Sequence, residues 1–249
     1  MEVKSILVSQ PKPETEKSPY YNLAEKHRIK IDFRSFIHVE GINNQDFRKD
    51  RVAIEKYNAV IFTSRNAVDH YFRICLEMRV PIRDSVKYFC LSEAIAYYLQ
   101  KYVIYRKRKI FHGRQTFQEL IQELKKNKEE KFLLPCSDIL KQEIPALLES
   151  NGIEYTKAVI YRTVCSDLSD LANVNYDMLV FFSPSGIKSL FKNFPDFKQN
   201  KTRIAAFGPT TARAVEDAGL ELNIRAPLPN APSMTMAIEC YLNQVNKKR

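Results

Sequence analysis

At 249 residues the chain is about 1.7 times a typical domain of roughly 150, so one large or two modest domains both fit. Hydrophobic residues at 45% and charged residues at 27% are ordinary for a soluble globular protein, and no apolar run of about eighteen residues is present to cross a membrane. The formal charge of +10 admits nucleic acid, a polyanionic metabolite or an indifferent basic surface, and no helix-turn-helix, zinc-finger or RNP pattern supports the first of these.

In chain order, residues 1–9 form one short apolar run with no basic n-region and no long h-region, so no secretory signal is read and a cytoplasmic location is expected. Residues 4–8 (KSILV) read as a strand, followed by a helix near 20–27 and a strand-like outward crossing at 31–36 (IDFRSF). Residues 59–64 (AVIFTS) are a continuous apolar run ending in hydroxyls, with helical spacing from Asn66 to Phe72. A second run at 86–92 (VKYFCLS) leads into a helix-like stretch, 93–102. Residues 101–109 (KYVIYRKRK) interleave bases with aromatics, read as a solvated edge or loop with phosphate binding as the alternative. A third strand, 131–135 (KFLLP), meets Ser137-Asp138 as a helix start, and 157–163 (KAVIYRT) reads as the return crossing. Residues 178–183 (MLVFFS) and 203–209 (RIAAFGP) are further apolar runs, each followed by a helix. Prolines make 226–233 (APLPNAPS) a loop, after which Ser233 caps a last helix.

These elements repeat. AVIFTS with its helix returns 119 positions later as MLVFFS, VKYFCLS returns as RIAAFGP, and KFLLP matches KSILV. Short apolar runs alternating with amphipathic helices imply parallel strands in right-handed βαβ units. The unit at Lys4 precedes the first set of repeats while its partner at Lys131 comes after them, so the order is permuted. This predicts an α/β chain with a discontinuous domain at 1–36 plus 164–249 and an inserted domain at 37–160. Linker strands near 31–38 and 157–164 join them, acting as a hinge beside a ligand cleft.

Metal, nucleophile and nucleotide chemistry find no support. His27, His38, His70 and His112 lack ligand spacing, no Gly-x-Ser-x-Gly elbow or phosphate loop occurs, and six glycines build no dinucleotide fingerprint. No metal and no cofactor is therefore expected. Five scattered cysteines without a Cys-x-x-Cys pair read as reduced, buried thiols. What remains are strand-to-helix junctions at Thr63-Ser64, Ser183-Pro184-Ser185-Gly186 and Gly208-Pro209-Thr210-Thr211. Each presents N–H groups at a helix N-terminus, where an anion gains roughly 0.3–1 kcal/mol; plain capping is the alternative for any one of them. Repeated, they point to a multi-carboxylate or multi-phosphate ligand.

The segments 62–68 (FTSRNAV), 159–163 (VIYRT), 182–186 (FSPSG), 206–212 (AFGPTTA) and 231–233 (APS) resemble, in order, the motifs of the uroporphyrinogen-III synthase family. The resemblance spans nearly the whole chain and implies two flavodoxin-like domains joined by a two-stranded linker. It also implies cofactor-free cyclisation of hydroxymethylbilane, with inversion of the last pyrrole ring and loss of water: a lyase of heme biosynthesis. Thr63, Ser64, Asn66, Ser183, Ser185, Gly186, Gly208, Thr210, Thr211 and Ser233 would then bind the substrate's carboxylates. Tyr161 matches the family tyrosine best placed to donate a proton to the departing hydroxyl. On a strand of period two its side chain faces the cleft, with Ile160 and Arg162 pointing the other way. The expected partners are the acidic linear tetrapyrrole and hydroxymethylbilane synthase as upstream donor; no nucleic acid or membrane is expected, and the chain is expected to be a monomer. Two departures stand out. Ser9-Gln10-Pro11 replaces the family's Thr-Arg-Pro, and Cys90-Leu91-Ser92-Glu93 replaces a glycine-containing loop. The alternative function is a non-enzymatic hinged binding module for an anionic small molecule.

Overall fold

A computed structural model of the chain describes residues 2–114, 116–140 and 142–246. In chain order its elements are β1 (Ser5–Val8), α1 (Pro19–His27), β2 (Lys30–Phe33), β3 (Ile37–Gly41), α2 (Asn44–Lys49), β4 (Ala59–Phe62), α3 (Arg65–Glu77), β5 (Lys87–Cys90), α4 (Glu93–Tyr98), β6 (Ile110–His112) and α5 (Phe117–Lys126). The chain continues with β7 (Phe132–Ser137), α6 (Glu143–Ser150), β8 (Tyr155–Cys165), β9 (Met178–Phe181), α7 (Pro184–Asn193), β10 (Arg203–Phe207), α8 (Pro209–Asp217), β11 (Ile224–Ala226) and α9 (Met234–Asn246). The chain forms two compact units. The first runs to His38 and resumes at Val164; the second is Val39–Thr163.

The first unit holds a parallel sheet in the order β11-β10-β9-β1-β2. Numbered by appearance within that unit the order is 2-1-3-4-5, the flavodoxin-like arrangement. Alternate strand residues feed opposite faces, as a period of two requires. Ile6, Val8, Met178, Val180 and Ala205 pack with Leu23 of α1 and Ile238 of α9. Leu7, Leu179, Phe181, Ile204 and Ala206 pack with Ile187 of α7 and Val215 of α8.

The second unit holds the sheet β3-β8-β7-β4-β5-β6, parallel from β8 to β6. Val60, Phe62, Tyr88 and Leu133 face α3, while Ala59, Ile61, Phe89 and Leu134 face α5. The strand β1 lies between β2 and β9, and β7 lies between β8 and β4, with β10–β11 and β5–β6 continuing outward. The two sheets therefore share one neighbour order, entered by the chain at different points. The matches KSILV with KFLLP, MLVFFS with AVIFTS and RIAAFGP with VKYFCLS fall on equivalent strands. The chain is α/β, with a parallel-sheet domain in each unit.

The outward crossing lies elsewhere than residues 31–36 suggest. Residues 30–33 form β2, paired with β1, and the crossing strand is β3. The polar break Arg34-Ser35 separates them: Arg34 turns out to bind the Asp170 carboxylate and the Asp167 carbonyl. Ser166 N–H donates to Phe36 C=O and Ile42 N–H to Ile160 C=O, a register that runs β3 antiparallel to β8.

Asp177 ties the amino ends of β1 and β9 together. One carboxylate oxygen accepts from the N–H groups of Lys4 (2.8 Å) and Ser5 (3.0 Å) and from Ser5 Oγ (3.1 Å). Burial would raise its pKa, but these bonds outweigh it and the value is lowered. A depressed carboxylate stabilises the fold above its unfolded value of about 3.9, and that contribution disappears as pH falls through the folded value. Asp177→Asn is expected to cost about 1–2 kcal/mol at neutral pH. The gap from the parent should shrink as denaturation midpoints are followed below about pH 4; a pH-independent gap would assign the effect to packing.

Candidate active site

In the second unit the carboxyl ends of β4, β5 and β7 bring Thr63, Leu91 and Ser137 to one sheet edge, the place where α/β sheets put ligands. Ser64 is extended (φ −156°, ψ 162°) and caps α3, its Oγ accepting from Ala67 N–H at 3.1 Å. The same oxygen lies 3.1 Å from Tyr161 Oη, so Ser64 serves the helix and the phenol together. Tyr161 reaches this edge because β8 is bulged. Cys136 pairs with Val159, but Ser137 pairs with Tyr161, skipping Ile160.

The bulge corrects the expectation that Ile160 points away from Tyr161. Both side chains are buried in the same cluster on the α3 face. An extra residue on one strand interrupts the period of two and re-aims the side chains beyond it. Arg162 is exposed and pairs with Glu40.

Tyr161 is 7% exposed and lines a cavity of about 400 Å³ with Thr63, Leu91, Phe117, Cys136 and Ser137. Burial raises the phenol's pKa, opposed by the Ser64 hydrogen bond. The group therefore holds its proton at neutral pH and can donate it. A larger cavity of about 450 Å³ in the first unit is floored by Leu7, Phe36 and Leu179 and contains none of the junction residues. Its wall mixes apolar side chains with Asn175, Tyr176, Asn193, Asp196 and Thr202 and includes none of the strand-to-helix junctions.

In the first unit, β1, β9 and β10 end side by side, with Ser9 N–H donating to Val180 C=O. Ser183 caps α7 and accepts from Gly186 N–H at 3.3 Å. Gly186 is buried, and a Cβ there would meet Phe181 at 3.2 Å. Gly208 caps α8 at φ 86°, a left-handed conformation that suits glycine, with its N–H on Ala226 C=O. Ser233 caps α9 by accepting from Met236 N–H. Ser185 is half-buried, and Thr210 is exposed at the start of α8. The rings of Phe182 and Phe207 stack at this edge, centroids 5.9 Å apart, an apolar feature that a pattern of polar junctions does not reveal.

Thr63, Ser64 and Tyr161 thus come together, as do the α7 and α8 junctions. Asn66 is exposed on the first turn of α3, outside the Ser64–Tyr161 pair. Thr211 is 1% exposed, so its side chain is committed to the interior and any contact there falls to its neighbours. Ser137-Asp138 does not start a helix. Asp138 Oδ1 instead accepts from Ser137 Oγ and Thr163 N–H, closing the end of β7 onto β8, and α6 begins at Glu143. In the basic stretch, Lys101 meets Asp69, Arg106 meets Asp84, and Lys109 donates to the Asp84 carbonyl. Cys75, Cys90 and Cys136 are buried and free, Cys165 and Cys240 half-buried and free. Among the described residues no cluster of His, Cys, Asp and Glu could hold a metal, and no helix is long and apolar enough to cross a membrane.

The fold is shared with solved uroporphyrinogen-III synthases. The enzyme from Helicobacter pylori 26695 superposes with a TM-score of 0.60 at 19% identity, covering 97% of this chain and 99% of that one. A mutant enzyme from Thermus thermophilus gives 0.55 at 14% identity, covering 98% and 99%. In sequence, the uroporphyrinogen-III synthase of Saccharomyces cerevisiae is 29% identical over 126 residues, 44% of this chain and 45% of the yeast protein. The match therefore spans less than half of that relative. A putative uroporphyrinogen-III synthase of Methanocaldococcus jannaschii is 29% identical over 198 residues, 74% of this chain and 78% of its own. The family model described as uroporphyrinogen-III synthase HemD matches residues 18–236, most of both units, and the chain belongs to that family.

Proposed function

We propose that this chain cyclises hydroxymethylbilane to uroporphyrinogen III, inverting the last pyrrole ring and releasing water. The observation that carries the reading is Tyr161, which lines a cavity on the carboxyl edge of its sheet and whose hydroxyl lies 3.1 Å from Ser64 Oγ. Tyr161 donates its proton to the terminal hydroxyl, which leaves as water and gives an azafulvene cation. Ser64 stabilises the phenolate left behind by a hydrogen bond. The cation closes on the substituted carbon of the last ring, the spiro intermediate fragments and recloses, and the proton lost as the pyrrole regains aromaticity returns to Tyr161. Release of water coupled to ring closure makes the reaction that of a cyclising hydro-lyase, and no step needs a cofactor.

Carboxylate binding is assigned to backbone N–H groups near Thr63–Asn66, Ser183–Gly186, Gly208–Thr211 and Ser233, aided by the positive charge of the chain. Because Ser64 and Ser183 also cap helices, alanine at either is expected to cost about 1 kcal/mol of stability and to lower activity only in part. Abolition of turnover by Ser183→Ala with the fold retained would refute distributed binding. The protein is assigned to the cytoplasm as a monomer, receiving its substrate from hydroxymethylbilane synthase.

The test is incubation with freshly generated hydroxymethylbilane and separation of uroporphyrinogen isomers. Isomer III in excess over isomer I is expected. Isomer I alone, formed at the spontaneous rate, would instead leave a non-enzymatic binding module.

A further inference from the structure

We propose that His70 and Arg73 are positioning residues that hold the Tyr161 phenol against Ser64. The inference rests on the proton-donor reading of Tyr161 and deepens it.

Arg73, on α3, reaches the residue that follows β3 and the bulge of β8. Its Nη2 donates to the carbonyls of Ile42 (2.8 Å) and Ile160 (3.2 Å), its Nη1 to Glu77 Oε1 (2.6 Å) and its Nε to His70 Nδ1 (3.2 Å). The Ile160 carbonyl belongs to the bulge that turns Tyr161 to its edge. One guanidinium thus fixes the backbone immediately before Tyr161 and the ring that lies on it, a reach that a lysine's point charge does not reproduce. The place is built for it. A Cβ on Gly41 would stand 2.7 Å from the Arg73 guanidinium, so the side chain lies this close to β3 because position 41 has none.

The His70 imidazole stacks on the Tyr161 ring, centroids 5.3 Å apart and planes 21° from parallel. Accepting at Nδ1 places the imidazole proton on Nε2 and fixes the plane of the ring. Burial first, then the Arg73 charge, lowers the His70 pKa against the opposing pull of Asp69 and Glu77. A neutral ring therefore covers the phenol at neutral pH. With the bulge held on one side, the stack on the other and Ser64 at the hydroxyl, Tyr161 has little freedom left. A displacement of about 1 Å in a reacting group can cost on the order of a hundredfold in rate.

The test measures formation of isomer III, with kcat and KM separated, for His70→Ala, His70→Phe and Arg73→Lys. Each is made alone and in a Tyr161→Phe background, with thermal melts to confirm folding. His70→Ala is expected to lower kcat about tenfold with KM little changed, a fraction of the full misplacement cost. His70→Phe keeps a stacking ring and should recover most of the loss, while Arg73→Lys should resemble His70→Ala. Gly41→Ala, which displaces the guanidinium without touching either ring, should reproduce part of it.

In the Tyr161→Phe background His70→Ala should have no further effect, since its action runs through the hydroxyl. An equal loss in both backgrounds, or wild-type kcat in His70→Ala, overturns the positioning role while leaving the donor reading intact. Wild-type kcat in Tyr161→Phe alone overturns the donor reading, and this inference with it. Ring-flip rates of labelled Tyr161, measured by NMR without substrate, should rise in His70→Ala; unchanged rates also overturn the proposal.

Discussion

Tyr161→Phe is expected to lower the rate of isomer III formation by about 10²–10⁴-fold, the range typical of a lost general acid. The substitution removes one oxygen and keeps the ring, so the stack on His70 and the burial on the α3 face survive. The hydroxyl's partner, Ser64 Oγ, is only half-buried and still accepts from Ala67 N–H, so the change removes one hydrogen bond. Stability should therefore change by less than about 1 kcal/mol, the net value of one hydrogen bond. The quantity expected to change is kcat, because the carboxylate binding proposed for backbone N–H groups, those beside Ser64 included, does not use the Tyr161 hydroxyl.

Burial sets the sign of the pH dependence. It raises the phenol's pKa above 10, so the donor stays protonated through the neutral and mildly alkaline range. The parent rate should show no fall from phenol ionisation below about pH 10. Activity must be scored as isomer III formed, because hydroxymethylbilane closes by itself to the uninverted isomer. Near-parental formation of isomer III by Tyr161→Phe would make the tyrosine structural, and a substrate carboxylic acid would become the better proton source.

The parts of this fold that announce themselves in sequence are those governed by local rules. Parallel strands buried on both faces must be apolar throughout, so AVIF, MLVF and KYFC stand out, and serine or proline after each marks the next helix. The permutation is legible too, because equivalent strands in the two sheets carry equivalent runs. Features set by long-range contact are not. The bulge at Ile160 has no residue signature, since its cause is a register between β7 and β8 that ends at different points on the two strands. The break between β2 and β3 is a pair of polar residues, Arg34-Ser35, which a short apolar window bridges. Thr211 looks like a ligand at a junction, yet the turn of α8 carries it inward. His70 and Arg73 sit at helical spacing with no motif around them. Only the fold shows that their face of α3 meets Tyr161.

Phe62→Ala is expected to destabilise the protein by about 3–5 kcal/mol, the usual cost of emptying an aromatic site in a core. Phe62 is fully buried as the last residue of β4, immediately before Thr63-Ser64. Its ring stacks on Tyr88, with centroids 6.0 Å apart and planes 10° from parallel. It meets Tyr71 edge-on at 5.4 Å and lies 6.3 Å from Phe72. Alanine removes three ring pairs and leaves Phe72 still in contact with Tyr71 and Tyr88. Geometry-specific aromatic terms of about 0.5–1.5 kcal/mol per lost pair go with the buried area. The neighbours are ill placed to collapse into the space. Tyr88 is fixed in β5, while Tyr71 and Phe72 are fixed by the α3 backbone. For a chain of this size each kcal/mol shifts Tm by about 2–4 °C, so a fall on the order of 10 °C is expected by calorimetry. Phe62→Leu keeps most of the volume and should lose less than half as much. Below the transition both variants should still form isomer III, because Thr63 and Ser64 keep their own backbone and capping bonds; this separates a packing residue from Tyr161. A loss below about 1 kcal/mol in Phe62→Ala would mean that the ring cluster refills the space, and that β4 is held at its carboxyl end by its ladder and the α3 cap rather than by aromatic packing.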